Sequence, residues 1–178
     1  MSVWNPPRIY AEWLPLLERF REGDDGVLDP MRRGAIEWTN VVAERWTARV
    51  AETLSVRLQV ISRQLQIGLD RSRGDLFAIS KAMIGARRSL VPLRALASLP
   101  CTPEGVRKHL VSEVERFISQ TQDTLEKGAQ QIRRDNGLVL KAIRDNPLTA
   151  MAGSDVSEMG SSSESPERPV TRGRRVIL

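Results

Sequence analysis

The chain has 178 residues, of which 40% are hydrophobic and only 4% aromatic, and its formal net charge is +5. This length predicts one domain, and the scarcity of rings implies a core of Leu, Ile, Val and Ala, which favours helices over a β-sandwich. The single cysteine, Cys101, excludes an intramolecular disulfide, and no uncharged run reaches the roughly 18 residues needed to span a bilayer. Because the N-terminus lacks the basic-then-apolar order of a signal peptide, we expect a cytoplasmic location.

The first predicted helix begins at the prolines of residues 5–7, where a missing amide hydrogen is tolerated. It runs to about Arg21, and Pro15 is expected to kink it. All four tryptophans lie in the first quarter of the chain. We expect Trp13 and Trp46 to pack this helix onto the start of the second helix, because aromatic rings bury the largest apolar surfaces available there.

The second predicted helix begins at Asp29-Pro30 and continues to about Ser72, with no breaker stronger than Gly34 and Gly68, so it has about 40 residues. One side carries the apolar residues Trp46, Val50, Leu54, Leu58, Ile61, Leu65 and Leu69. A second apolar side is offset by more than about 100°. A helix that is apolar on two sides contacts neighbours on both, so this helix is predicted to be central.

The third predicted helix runs from residue 75 to about residue 91, after a turn at residues 71–75, and Pro92 is expected to interrupt it. Two sets of apolar residues are spaced by seven: Leu76, Met83 and Leu90, and beside them Phe77, Ile84 and Val91. This spacing is typical of coiled-coil packing against a neighbouring helix.

The fourth predicted helix has the clearest amphipathic pattern. Thr102 caps it, Pro103 takes its first position, and it is predicted to run unbroken to Asn146. Its apolar residues fall within an arc of about 140°: Val106, Leu110, Val114, Phe117, Ile118, Leu125, Ala129, Ile132, Val139 and Ile143. The predicted fold is therefore all-α, an elongated antiparallel helical bundle of residues 1–150 with two helices of about 40 residues.

Residues 151–178 differ from the bundle in composition. Ser, Gly, Pro and Glu dominate without helical periodicity, which predicts a disordered C-terminal tail. Its last residues, "RRVIL", are either a linear motif for a partner's groove or a frayed end.

Residues suited to catalysis are scarce. The only histidine, His109, lies eight positions after Cys101, and no nucleophile motif surrounds either residue. His109 and Glu113 form a single pair that cannot complete a metal coordination shell. We therefore expect no enzyme activity, no catalytic residues, no metal site and no cofactor.

The first functional hypothesis is a non-enzymatic interaction protein, which would be an adaptor, chaperone or structural subunit. Such a protein presents a helix face to a protein partner or to copies of itself. The predicted partner-binding residues form the second apolar side of the second helix: Trp38, Val42, Val56, Val60 and Ile67. The alternative is that they complete a monomeric core.

The second hypothesis is nucleic-acid binding. Residues 31–101 contain twelve basic and five acidic residues, and Arg45, Arg49, Arg63 and Arg71 could follow phosphates along one helix. In the tail, Arg172-Gly173-Arg174 resembles the Arg-Gly-Arg core of the AT-hook, a minor-groove motif, although Thr171 and Arg175 replace its flanking prolines. The resemblance implies DNA contacts by Arg172 and Arg174, and the adjacent Arg175 is a further basic candidate for nucleic-acid binding. An ordinary solvated helix face or GC-rich codon usage would explain the arginines equally well.

The third hypothesis is an amphipathic coat protein that adsorbs to an apolar granule or lipid surface. The chain's size, its long helices rich in Leu, Ile, Val and Ala, and the scarcity of catalytic residues are similar to the phasins of bacterial storage granules. No motif of that family is present in the sequence.

Overall fold

The computed structural model describes residues 5–131 and 136–151, and every regular element in this part of the chain is a helix. The all-α prediction is therefore confirmed. In chain order the elements are α1 (Tyr10–Glu22), a short 3-10 turn (Asp25–Val27), α2 (Leu28–Arg32), α3 (Asn40–Ser72), α4 (Leu76–Ala97), α5 (Glu104–Gln131) and α6 (Asn136–Asp145). Nearly all of the predicted tail lies outside the described residues.

The central helix α3 begins later than predicted. Residues 34–39 belong to no helix, and α3 starts at Asn40, so it has 33 residues and not about 40. Thr39 is its N-cap, in extended backbone conformation, and the Thr39 hydroxyl accepts a hydrogen bond from Val42 N at 3.2 Å. This bond satisfies one of the amides that a helix start leaves unpaired.

The segment before α3 leaves the helical path because it packs against α1. Trp13 Nε1 donates a hydrogen bond to Ala35 O at 3.1 Å, and Ala35 N donates one to Pro7 O at 2.8 Å. Gly34 lies so close to Trp13 that an added Cβ would be 2.6 Å from the ring. An ideal helix through Gly34 would lose these contacts, and this explains why the prediction was wrong.

Three tryptophans form a cluster at one end of the bundle, which we call the proximal end. The rings of Trp13 and Trp46 are fully buried and meet edge to face, with centroids 4.9 Å apart. Trp38 also packs edge to face on Trp46, with ring centroids 5.9 Å apart. The predicted packing of the first helix onto the second through Trp13 and Trp46 is confirmed.

Helix α4 continues through Pro92 to Ala97, so the predicted interruption is wrong. Leu93, Leu96 and Ala97 are fully buried after the proline. Burial of these side chains holds the last turns in line and compensates for the hydrogen bond that Pro92 cannot donate.

The two longest helices, α3 and α5, run in the same direction. One groove between them is lined by Ala51 and His109, and another lies nearer their C-terminal ends, between Leu69 and Thr124. The predicted antiparallel arrangement is therefore wrong for this pair. The reason is that α4 lies between them in the chain and reverses direction, so each long helix is antiparallel to α4 and parallel to the other.

The predicted unbroken helix from Thr102 to Asn146 is also wrong, because α6 folds back along α5. Arg144 Nε lies 2.9 Å from Glu126 Oε2, whereas in a straight helix these positions would be about 27 Å apart. Leu148 N also donates a hydrogen bond to Gln122 Oε1 at 3.1 Å. The reversal buries Ile143 and Leu148 against the bundle, which a straight helix would leave beyond its end.

The α5–α6 contact predicts a pH dependence of stability. Hydrogen bonds from Gln122 and Arg144 hold the pKa of Glu126 below its ordinary value of 4.5. A carboxylate whose pKa is lowered by folding stabilises the folded state above its ordinary pKa and loses that effect as pH falls through the lowered value. We therefore expect Glu126→Gln to lower Tm at pH 7 and to lower it less near pH 3. Calorimetry at both pH values checks this, and an equal decrease at both would contradict it.

Candidate partner-binding surface

The five predicted partner-binding residues have different environments. Trp38 precedes α3 and its Nε1 donates a hydrogen bond to Cys101 O at 2.7 Å, so its ring and its polar atom are both engaged. Val42 and Val56 are half-buried in α3. Val60 is 46% exposed and Ile67 is 40% exposed. Of the five residues, only Val60 and Ile67 offer substantial apolar surface to a partner.

Val60 and Ile67 are open because α1 is shorter than α3. Arg49 of α3 pairs with Glu18 of α1 at 3.5 Å. Val60 follows Arg49 by eleven residues, about three turns, and therefore lies on the same side of α3. Arg57 reaches the C-terminal end of α1, where its guanidinium lies 4.7 Å from the Phe20 ring centroid. Beyond Arg57 no part of α1 remains to cover this side.

A second apolar surface lies on α4. Among the two sets of apolar residues spaced by seven, Met83 and Leu90 are buried, whereas Phe77 is 75% exposed and Val91 is 43% exposed. Ile84 between them is half-buried. We call the surface formed by Phe77, Lys81, Ile84, Arg88 and Val91 the α4 outer face. The seven-residue spacing predicted that the apolar members of this face pack against a neighbouring helix of the bundle, so they were not predicted as a binding site.

The charged side chains of α4 are all basic. Arg94 points inward, where its Nε and Nη2 donate hydrogen bonds to the two carboxylate oxygens of Glu115 at 2.6 and 3.0 Å. Arg87 is buried, and its Nη1 donates to Pro147 O at 3.4 Å. Lys81 and Arg88 are exposed and make no ion pair within residues 5–131 and 136–151. The α4 outer face therefore combines apolar side chains with two uncompensated positive charges.

The arginines of the nucleic-acid hypothesis are only partly available. Arg49 forms ion pairs with Glu18 at 3.5 Å and with Glu52 at 2.9 Å. Arg45, Arg63 and Arg71 are exposed, and the described part of the chain gives them no ion-pair partner. The tail candidates are not among the described residues: Arg172, Arg174 and Arg175.

The side chains with catalytic potential, Cys101 and His109, lie outside the α4 outer face. Burial raises the pKa of the Cys101 thiol, so at neutral pH the less nucleophilic protonated form dominates. His109 is exposed and lines the α3–α5 groove beside Glu113. Over the described ranges, no group of three or more His, Cys, Asp or Glu side chains is arranged to hold a metal ion.

Comparison with family models, curated proteins and solved structures finds no match to this chain. None of the helices in the described ranges combines the length and apolar character needed to cross a membrane. The residues of the exposed surfaces are therefore the basis for a functional proposal.

Proposed function

We propose that the chain is a non-enzymatic helical-bundle protein that binds a protein partner through the α4 outer face. The observation that carries this proposal is an exposed apolar stripe of three side chains spaced seven residues apart. Phe77 lies at one end, the half-buried Ile84 lies in the middle and Val91 lies at the other end. The stripe spans fourteen residues, about 21 Å of helix. A seven-residue spacing keeps side chains aligned along a second helix, as in coiled coils.

The apolar part of the face supplies the binding energy in this proposal. Full burial of a side chain such as Phe or Val contributes about 1.5–3 kcal/mol relative to exposure. An aromatic side chain that is mostly exposed in the free protein is a frequent anchor at protein interfaces. Phe77 is the best anchor of the face because it has the largest exposed side chain.

The charges favour a partner helix with acidic flanks. Lys81 and Arg88 border the apolar stripe, and α4 contains no acidic residue after its N-cap Asp75. Two copies meeting through this face would bring like charges together, which disfavours self-association. A partner with Asp or Glu beside its apolar stripe would instead form complementary pairs, and its association rate would fall with added salt.

The test compares two double variants of the full chain. Phe77→Ser with Val91→Ser removes the apolar stripe, whereas Ile9→Ser with Val41→Ser is a matched control that changes exposed apolar residues elsewhere. Both are expected to keep the circular dichroism spectrum of the wild type. We expect quantitative cross-linking in the producing cells to recover a protein with the wild type and the control, and to recover at least tenfold less of it with the α4 variant.

Two outcomes would overturn the proposal. Recovery of the same proteins by both double variants would show that the α4 outer face is not the binding site. Salt-dependent binding to DNA that the α4 variant retains, and that Arg63→Gln with Arg71→Gln abolishes, would instead support the nucleic-acid hypothesis.

A further inference from the structure

A cavity of about 510 Å³ lies at the end of the bundle opposite the tryptophans, which we call the distal end. It is bounded by the C-terminal parts of α3 and α5, by α6 and by the α3–α4 turn. Its wall is mainly apolar and is formed by Leu69, Ile79, Leu125, Ala129, Val139 and Ile143. Its volume falls in the range of about 300–1,000 Å³ that is usual for small-molecule sites.

The cavity persists because α5 carries small residues where it faces α3. Gly128 lines the cavity, and a Cβ added there would meet no atom within 4 Å. Ala129 is the next lining residue, whereas one turn earlier α5 presents the larger Leu125. A glycine inside a helix costs stability relative to alanine, and no close packing contact requires it at this position. The chain therefore leaves open an apolar space that a larger side chain at position 128 would partly occupy.

The rim of the cavity is polar and carries one cation without a partner. Gln66 Nε2 donates a hydrogen bond to Asp70 Oδ1 at 3.0 Å, which partly satisfies this carboxylate. The Ser72 hydroxyl donates to Leu69 O at 2.6 Å. Arg73 is exposed and has a backbone φ of 49°, and its side chain forms no ion pair or hydrogen bond within residues 5–131 and 136–151. Its guanidinium is thus the free charged donor at the entrance.

We propose that this cavity binds a single alkyl chain that ends in a carboxylate. The chain would lie between α3, α5 and α6 against the apolar wall, and the carboxylate would remain at the rim with Arg73. A guanidinium matches a carboxylate because it donates two parallel hydrogen bonds. Asp70 at the same rim disfavours a head group with more than one negative charge. A free fatty acid and the acyl chain of a membrane lipid share the apolar chemistry, and the test separates them.

The first part of the test uses Gly128→Leu in the full chain. The leucine side chain is expected to occupy the cavity, so that isothermal titration with dodecanoate shows saturable one-to-one binding to the wild type and at least tenfold weaker binding to the variant. Gly85→Leu is the matched control, because a Cβ at Gly85 of α4 also meets no atom within 4 Å and lies away from the cavity. This control should bind dodecanoate like the wild type, and Tm should show that both variants fold.

The second part tests the head group and the source of the chain. Arg73→Gln is expected to weaken dodecanoate binding about tenfold and to leave dodecanol binding unchanged. Incubation with phosphatidylglycerol vesicles, followed by mass spectrometry of the repurified protein, detects chains taken from a membrane. Dodecanoate binding that Gly128→Leu abolishes supports the proposal. The proposal is overturned if dodecanoate does not bind the wild type, if only phosphatidylglycerol is bound, if Gly128→Leu binds dodecanoate as the wild type does, or if Arg73→Gln leaves dodecanoate binding unchanged.

Discussion

Replacing Trp13 with alanine is expected to lower the free energy of unfolding by about 4 kcal/mol, the middle of the range for buried tryptophan. Trp13 is fully buried, its ring packs edge to face on Trp46 at 4.9 Å, and its Nε1 donates a hydrogen bond to Ala35 O. The substitution removes the apolar burial, leaves a large cavity and deprives a carbonyl of its donor. Urea unfolding followed by circular dichroism at 222 nm measures the change.

The matched control is Phe77→Ala, because it also truncates an aromatic side chain but at a position that is 75% exposed. A surface truncation of this kind is expected to change stability by no more than about 0.5 kcal/mol. Similar losses in the two variants would show that the tryptophan cluster does not hold α1 and α3 together as described. A loss confined to Trp13→Ala would support that description.

Replacing Gly34 with alanine is expected to lower the free energy of unfolding by about 2–3 kcal/mol, at the upper end of the usual cost of overpacking. An added Cβ would lie 2.6 Å from Trp13 Cζ2, 2.8 Å from Cη2 and 2.9 Å from Pro7 Cγ. The ring cannot move away freely because it is packed against Trp46 and hydrogen-bonded to Ala35. The cost is therefore steric, and the same unfolding experiment measures it.

Two comparisons isolate this steric effect. Gly85→Ala makes the same substitution inside α4, where an added Cβ meets no atom within 4 Å, and should raise stability by about 0.5–1 kcal/mol. In the Trp13→Ala background the obstructing ring is absent, so Gly34→Ala should cost much less than in the wild type. Equal costs in both backgrounds would contradict a clash with Trp13.

The helical character and the central position of α3 could be predicted from apolar periodicity, which depends only on local sequence. The residues Val50, Leu54, Leu58, Ile61 and Leu65 of the predicted stripe are all buried in the structure. On α5 the predicted stripe likewise supplies the buried Leu110, Val114 and Ile118. Periodicity identifies which side of a helix is buried, because the same side chains return to the same face every turn.

Helix limits and directions could not be predicted in the same way. Thr39, a good N-cap residue, was the local signal for the true start of α3, but the contact of Gly34 with Trp13 that excludes a helix there is a tertiary effect. The dipeptide Asn136-Gly137, which is typical of turns, stands close to where the chain reverses between α5 and α6. Whether such a signal ends a helix depends on what the returning segment can bury.

The exposed surfaces show the same limit. The sequence places both Val60 and Phe77 in apolar patterns. It predicts the end of the first helix closely, near Arg21, but it does not reveal which part of α3 that helix covers. Val60 is exposed because α1 ends at Glu22, and Phe77 because its stripe turns away from the bundle. The cavity near Gly128 depends on how three helices converge, which no pattern within one helix can express.

The position of the tryptophans determines what intrinsic fluorescence can report. Trp13, Trp38 and Trp46 cluster at the proximal end, and the end of α3 lies about 40 Å from Trp46 along the helix axis. Indole emission responds only to its immediate surroundings, so local opening of α6 would leave the emission spectrum of these three residues unchanged. Amide hydrogen exchange would detect such opening, and a difference between the two methods would show that the halves of this bundle melt separately.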